Sequence, residues 1–147
     1  MPYVVTQQTF RVRREQPTGA SPYAAFFVTP EERLSLQYER VDDVAQARLS
    51  HELTVEVDAL GHVTKSVSVA YGSQRPGASP EQQRTPLVGT EQGLLEVGAW
   101  PPTAAAGAYR RGLTQWTKSW ELYAGDGPAD GLYSRSELEA LTDDGGG

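Results

Sequence analysis

The stretch His51-Glu-Leu-Thr-Val-Glu-Val-Asp-Ala-Leu-Gly-His-Val-Thr-Lys-Ser-Val-Ser-Val-Ala-Tyr71 decides the fold, because apolar and polar residues alternate on both sides of a short turn. Successive side chains of a β-strand point to opposite faces, so each arm has one apolar and one polar side. The apolar positions are Leu53, Val55, Val57, Val63, Val67 and Val69. This pattern predicts a β-hairpin with one buried face and one solvent-facing face.

The turn of this hairpin is predicted from Asp58 and Gly61, which suit the first and last corners of a type I turn. Ala59 and Leu60 are then its two central residues. A type I turn followed by a left-handed glycine is a common hairpin loop that ends in a bulge. In that geometry Asp58 pairs with His62.

The turn also fixes the register of the two arms, since a slip of one residue would expose the apolar row. Lys65 is expected at the edge of the buried face, with its stem packed and its ammonium in water. The predicted cross-strand pairs are Val57 with Val63, Val55 with Lys65, Leu53 with Val67, and His51 with Val69.

The composition indicates one domain whose stability comes from packing. The chain has 147 residues, of which 38% are hydrophobic, and contains no cysteine. Disulfides, thiolate metal ligands and thiol nucleophiles are therefore excluded. Fifteen glycines and ten prolines divide the chain into short segments, as an all-β domain with many turns requires. We predict a single β-rich domain over residues 1–142 and a disordered glycine tail over residues 143–147.

The charge argues against two classes of partner. The formal net charge of −6 disfavours a primary role on nucleic acid or on an anionic membrane, because both need a basic surface. No segment approaches the roughly 20 apolar residues of a membrane span, and no signal peptide is visible at the N-terminus. We therefore predict no nucleic-acid partner and no membrane span.

Further alternating segments predict more strands of an antiparallel sheet, so the predicted fold class is mainly β. Val4 to Arg14 carries Val4, Thr6, Phe10 and Val12 on one side and is predicted to be half-buried. Residues 23–29 and 34–38 are predicted as two strands of a second hairpin. Their connector, residues 29–32, is predicted to be either a capped helical turn or a plain loop.

The second half of the chain predicts one more strand and two helical turns. Residues 113–123 place Trp116, Trp120 and Leu122 on one face, which is typical of a strand that packs against a core. Short helical turns are predicted near 79–84 and 134–141. The second turn has the capping-box pattern of Ser134 and Glu137.

Candidate chemical groups are few, and each has a structural interpretation. His51 and His62 fall near opposite ends of the hairpin, so they cannot share a metal. Asp58 and His62 flank a turn without a nearby nucleophile, which favours a surface hydrogen bond over a catalytic dyad. The acidic loops at 42–43 and 126–130 lack the alternating oxygen ligands of an EF-hand. We predict no catalytic residue, no metal and no cofactor, and we do not expect an enzyme.

Several segments together resemble the middle/C-terminal domain of the B component of bacterial Tc insecticidal toxin complexes, the region that leads into the RHS/YD-repeat shell. The phrase from Val57 to Val63 also resembles the YD repeat itself. The segments that carry the resemblance are residues 2–6, 12–13, 16–17, 23–27, 38–40, 50–58 and 61–66, with weaker similarity at 90–92, 109–110 and 117–122.

The resemblance implies a function and partners. In that family the B and C components form a hollow β-shell that encloses a cytotoxic effector, and a propeller in B docks onto the pore-forming A component. The family has no catalytic residues in this domain. The resemblance therefore implies a non-catalytic structural domain of a secreted toxin complex, with the A and C components and the effector cargo as partners. It also implies that the hairpin edges meet neighbouring parts of the assembly.

A rival hypothesis is a β module that binds a carbohydrate or protein on a cell surface. It depends on Trp100 or on the acidic loops. Trp100 lies in the irregular stretch 98–108, where it is either a plug that folds the loop onto the body or a side chain that stacks on a ligand. A hydrolase is the third hypothesis and requires His62 to lie in a pocket beside a nucleophile.

Overall fold

The computed structural model describes residues 3–19, 22–38, 47–97, 110–123, 128 and 131–144. The strands in this part of the chain are β1 (Val4–Gln16), β2 (Ala25–Gln37), β3 (Arg48–Val57), β4 (Val63–Ala70), β5 (Leu87–Val97) and β6 (Arg110–Leu122). The helices are α1 (Pro80–Gln83) and α2 (Arg135–Asp144).

The six strands form one antiparallel sheet in the order β1-β2-β3-β4-β5-β6. Each strand therefore pairs with its neighbours in sequence, which is the simplest arrangement of consecutive antiparallel strands. The prediction of a mainly β fold built from hairpins is confirmed. β1 and β6 are the edges of the sheet, and within the described residues each pairs on one side only.

The β3–β4 hairpin lies at the centre of this sheet. Lys65 pairs with Glu56, so the predicted pairing of Val55 with Lys65 is wrong. One residue is skipped on each strand, Val55 on β3 and Thr64 on β4, and the two skips cancel. The register outside this irregularity is thus unchanged. Three predicted pairs are confirmed: Val57 with Val63, Leu53 with Val67, and His51 with Val69.

The two faces of the sheet differ in what covers them. The face that carries Leu53, Val67 and Val69 packs against α2 and is called the helix face. Leu138 of α2 is fully buried there. The opposite face, called the open face, carries polar side chains at its centre: Glu52, Thr54, Ser66 and Ser68. The buried apolar core on the helix face consists of Leu53, Val67, Val69, Leu87, Leu122, Tyr133 and Leu138.

β2 is one strand of 13 residues, so the prediction of two strands joined by a turn at residues 29–32 is wrong. Pro30 lies inside the strand, where it pairs with Phe10 of β1. The ladder with β3 ends at Glu32, so the missing N–H of Pro30 breaks no ladder on that side. Glu31 is skipped in the pairing with β1, and this bulge shifts the alternation of the strand.

The apolar side of β1 is exposed, which corrects the prediction that the strand is half-buried through this side. Phe10 and Val12 are both more than half exposed. Their partners on β2 are Pro30 and Val28, which are exposed as well. These side chains lie on the open face. Arg11, in the other row of β1, bonds to Glu31, which also bonds to Arg135 of α2.

The alternation of the sequence does not indicate β5, because two glycines interrupt it. Gly89 and Gly93 lie opposite Trp120 and Trp116 of β6. A Cβ at Gly89 would lie 2.6 Å from the Trp120 ring, so the indole occupies the space that a side chain would take. The two glycines therefore leave the space that the two indole rings occupy.

The face shared by the residues of β6 is as predicted, but their burial differs. Leu122 is buried, and Trp120 packs against the core cluster. Trp116 remains 45% exposed, since it lies farther along the strand than the core extends. Only one of the two indoles therefore belongs to the core.

Both predicted helical turns are present. Ser79 caps α1 in a capping box with Gln82. Ser134 and Glu137 make the corresponding contacts at the start of α2, where the Ser134 N–H donates to Glu137 Oε2 at 2.7 Å. The helix continues past residue 141 to Asp144.

Lys65 differs from the expectation of an ammonium in water. Its side chain is 14% exposed, and its Nζ lies 3.4 Å from Oδ1 of Asp143. The end of α2 therefore reaches over this lysine and pairs with it. Trp100, the acidic residues at 42–43 and the glycines at 145–147 lie outside the described residues.

We predict that Gly89→Ala destabilises the fold by about 1–3 kcal/mol, because the added methyl must displace the Trp120 ring from the core. Chemical denaturation monitored by tryptophan fluorescence measures this change. Gly19→Ala is the matched control, since no atom lies within 4 Å of the added Cβ. Equal stability of the two variants would show that the packing of Trp120 does not require a glycine at position 89.

Candidate functional site

The turn between β3 and β4 is held by both backbone and side-chain hydrogen bonds. The Asp58 N–H donates to the His62 carbonyl at 2.9 Å, and the Gly61 N–H donates to the Asp58 carbonyl at 3.1 Å. Asp58 Oδ1 accepts hydrogen bonds from the N–H groups of Leu60 and His62, both at 2.8 Å. Asp58 therefore satisfies donors that the turn would otherwise leave to water.

Gly61 is required at this turn for two reasons. Its φ of +86° lies in the left-handed region, which residues with a side chain seldom adopt. A Cβ at this position would also overlap the ring of Phe27 on β2. Ala59 and Leu60 are exposed at the tip of the turn.

The Asp58 and His62 side chains form a pair on the turn. His62 Nδ1 lies 2.8 Å from Asp58 Oδ2, and both side chains are partly exposed. The other nitrogen of the ring, Nε2, lies against β6, where a Cβ at Gly112 would be 2.7 Å away. The space next to Nε2 is thus occupied by backbone, and the geometry describes a pair that locks the turn.

The protonation of Asp58 is tied to these contacts. Burial raises the pKa of its carboxyl, but the hydrogen bonds from the His62 ring and from the N–H groups of His62 and Leu60 outweigh burial. The pKa therefore lies below its usual value. The carboxylate form is the one that holds the turn.

His51 lies in the core at the other end of the hairpin, with 1% of its surface exposed. Its Nε2 lies 2.8 Å from Glu32 Oε1 but makes no hydrogen bond to it. Its Nδ1 lies 3.3 Å from the Tyr71 hydroxyl, which in turn accepts the N–H of Tyr133 at 3.0 Å. This chain of polar groups connects β2 and β3 to the segment before α2.

A second polar cluster surrounds the bulge residue Glu31. Arg11 of β1 donates from Nε to Glu31 Oε1 at 3.1 Å, and Arg135 of α2 donates to the same oxygen. Arg135 also bonds to Glu139 one turn later in the helix. Burial raises the pKa of Glu31, but the two arginines lower it by a larger amount. One carboxylate thus joins β1, β2 and α2.

Among the described residues, neither His51 nor His62 lies in a group of possible metal ligands. Among the residues that the structure describes, no group of three or more histidine, cysteine or acidic side chains could hold a metal ion. Within the same residues, no helix has the length and hydropathy needed to cross a bilayer.

Two cavities lie at the surface of the described residues. One, of about 440 Å³, lies beside the end of β4 and is lined in part by Arg48, Tyr71 and Arg75. The other, of about 390 Å³, lies next to the turn and is lined in part by Arg11, Arg13 and Phe27.

The most extensive candidate site is the edge strand β1 together with its neighbour. Phe10 and Val12 of β1 lie next to Phe26 and Val28 of β2 on the open face. These four side chains, here called the apolar patch, are 52%, 60%, 59% and 54% exposed. Contiguous exposed apolar patches of this kind mark interaction surfaces more often than isolated apolar residues do. The alternation in residues 4–14 identifies Phe10 and Val12, but the predicted half-buried strand places them on its buried side. Phe26 and Val28 belong to residues 23–29, which are apolar on both faces.

We predict that Asp58→Ala destabilises the fold by about 1–3 kcal/mol at neutral pH, because it removes the acceptor of the turn. The folded-state pKa of Asp58 is lowered, so its contribution is complete above the unfolded pKa of about 3.9 and is lost as the pH falls through the folded value. The difference between wild type and variant should therefore shrink below about pH 4. Denaturant titrations at several pH values measure it.

Asp58→Asn serves as the control for this experiment. It keeps a side-chain oxygen for the turn but has no carboxylate to titrate. Its stability deficit should be smaller than that of Asp58→Ala and should also shrink in acid. A deficit for Asp58→Ala that stays constant down to pH 3 or so would contradict the role of the carboxylate.

Comparison with known proteins places this sheet in a family. A family model described as the insecticide toxin TcdB middle/C-terminal region matches residues 1–94. This range includes β1, β2, the β3–β4 hairpin and most of β5. A search of the curated proteins finds no match. Because the family model covers more than half of the chain, the chain belongs to the TcdB middle/C-terminal family of insecticidal toxin regions.

Proposed function

We propose that this chain is a non-catalytic structural domain of a bacterial toxin complex, and that it contributes strands to a β-shell that encloses a cytotoxic effector. The observation that carries the proposal is the form of the sheet. Its six strands follow one another in sequence and end in two 13-residue edges, each paired on one side only within the described residues. Such edges favour the addition of further strands.

The burial of the sheet supports the same proposal. α2 covers the centre of the helix face, where Leu53, Val67 and Leu138 are buried. On the open face, the exposed side chains near β1 are apolar and form the apolar patch. An isolated domain gains nothing from exposing these side chains, whereas a neighbour in an assembly would bury them.

The family supports other toxin subunits as partners. Within this proposal the partners are the A and C components and the effector, and the location is outside the bacterial cell as part of the complex. The Asp58–His62 turn then has a structural purpose, since it fixes the register of a hairpin similar to the YD repeats of the shell.

The test is assembly with the rest of the complex. The chain, in the natural polypeptide that contains it, is co-expressed with the C component and the effector, and the products are separated by size. We expect the chain in the high-mass fraction and the effector protected from added protease. Removal of residues 4–37, which contain β1 and β2, should expose the effector to the protease.

An effector that is equally protected without these strands would contradict the proposal. A glycan array addresses the rival hypothesis in parallel. Saturable glycan binding that Trp100→Ala abolishes would favour a cell-surface binding module instead.

A further inference from the structure

The edge strand β1 has two rows of side chains with different chemistry. On the open face, Phe10 and Val12 continue the apolar patch to the very edge of the sheet. On the helix face, the alternate positions are Arg11 and Arg13. A strand added beside β1 would place its own alternate side chains next to these two rows.

The arginines of the edge can accept a further carboxylate. Arg11 bonds to Glu31, and Arg13 bonds to Glu15 at 2.5 Å, in both cases through Nε. A guanidinium has five N–H donors, so its terminal amino groups remain for a second acceptor. Arg14, the next residue on β1, pairs with Phe26 in the row of Phe10 and Val12 and so does not belong to this pair of arginines.

The charge of the two edges disfavours pairing between copies of this chain. β1 carries three arginines and one glutamate, a net charge of +2. β6 carries two arginines, one lysine and one glutamate, also a net charge of +2. Edge pairing between two copies would therefore place two positive strands side by side, although the whole chain has a net charge of −6.

The area and shape of the apolar patch also disfavour a second copy. An aromatic side chain contributes about 150–250 Å² when fully exposed, so four half-exposed side chains offer a few hundred Å². A stable interface buries about 800 Å² on each partner. A second sheet packed across the open face would also cover Glu52, Thr54 and Ser68 at its centre. These polar side chains offer no apolar surface for such packing.

We propose that the outer edge of β1, which pairs with no other strand among the described residues, binds a β-strand of another polypeptide whose side chains are alternately apolar and acidic. The apolar row lies beside Phe10 and Val12, and the acidic row lies beside Arg11 and Arg13. The backbone N–H and C=O groups on the outer side of β1 pair with the added strand. This inference rests on the proposed function, because it names the chemistry of one neighbour in the assembly.

The test measures binding of two labelled peptides to the full chain by fluorescence anisotropy. Each peptide has about ten residues, the length of a long strand. One alternates valine with glutamate, and the other alternates valine with lysine. We expect saturable binding of the glutamate peptide, with the lysine peptide at least about tenfold weaker. Added salt should reduce this difference.

Two variants locate the binding to the edge. Val12→Lys places a charge in the apolar row of β1. It should weaken the binding of the glutamate peptide at least about tenfold. Val88→Lys is the matched control, because Val88 is exposed on the open face of β5, which pairs on both sides. Circular dichroism checks that both variants keep the sheet.

Three results would overturn the inference. These are equal affinity for the two peptides, unchanged binding by Val12→Lys, or sedimentation that shows the chain pairing with itself through β1. Failure here is distinct from failure of the proposed function. A chain that assembles and protects the effector but binds neither peptide retains the shell role and loses only the partner chemistry.

Discussion

The fold depends on the register of the β3–β4 hairpin, which the turn at Asp58 and Gly61 fixes. With that turn in place, Leu53 and Val67 share one face, and α2 can bury them. A slip of one residue would move the apolar side chains to the open face and leave Leu138 without a partner. The turn is local in sequence, but the burial of the whole helix face follows from it.

Polar contacts then connect the ends of the sheet to this centre. Glu31 occupies the bulge of β2 and bonds to arginines from β1 and α2. The contacts of His51 extend from Glu32 of β2 through Tyr71 to Tyr133, two residues before α2. The edge strand β1 is therefore held by its backbone ladder with β2 and by the Arg11–Glu31 ion pair, and it buries none of its own side chains. Its apolar side chains stay open to a neighbour.

The sequence was most informative where local patterns decide the structure. The hairpin register and the capped helical turns follow from alternation and from turn chemistry. The alternation does not show β5, because Gly89 has no side chain to mark the period. The signal that reveals the strand is the equal spacing of its two glycines and of the two tryptophans opposite them. The sequence does not indicate that β2 is a single strand, because a proline usually marks a break. Pro30 is compatible with the strand because the ladder with β3 reaches only to Glu32, and the sequence does not show this. The exposure of Phe10 could not be predicted, since alternation separates two faces without showing which one is covered.

Within the described residues, the sheet has a fixed middle and two edge strands that each pair on one side only. Amide hydrogen exchange measured residue by residue tests this arrangement of the sheet. We expect protection at consecutive residues where β3 and β4 are paired on both sides, at residues 50–53 and 65–69. On β1 and β6 we expect protection at alternate residues, because among the described residues only one side of each edge strand is paired. Consecutive protection along β1 would show that a further strand already pairs with this edge, and the edge would then not be open.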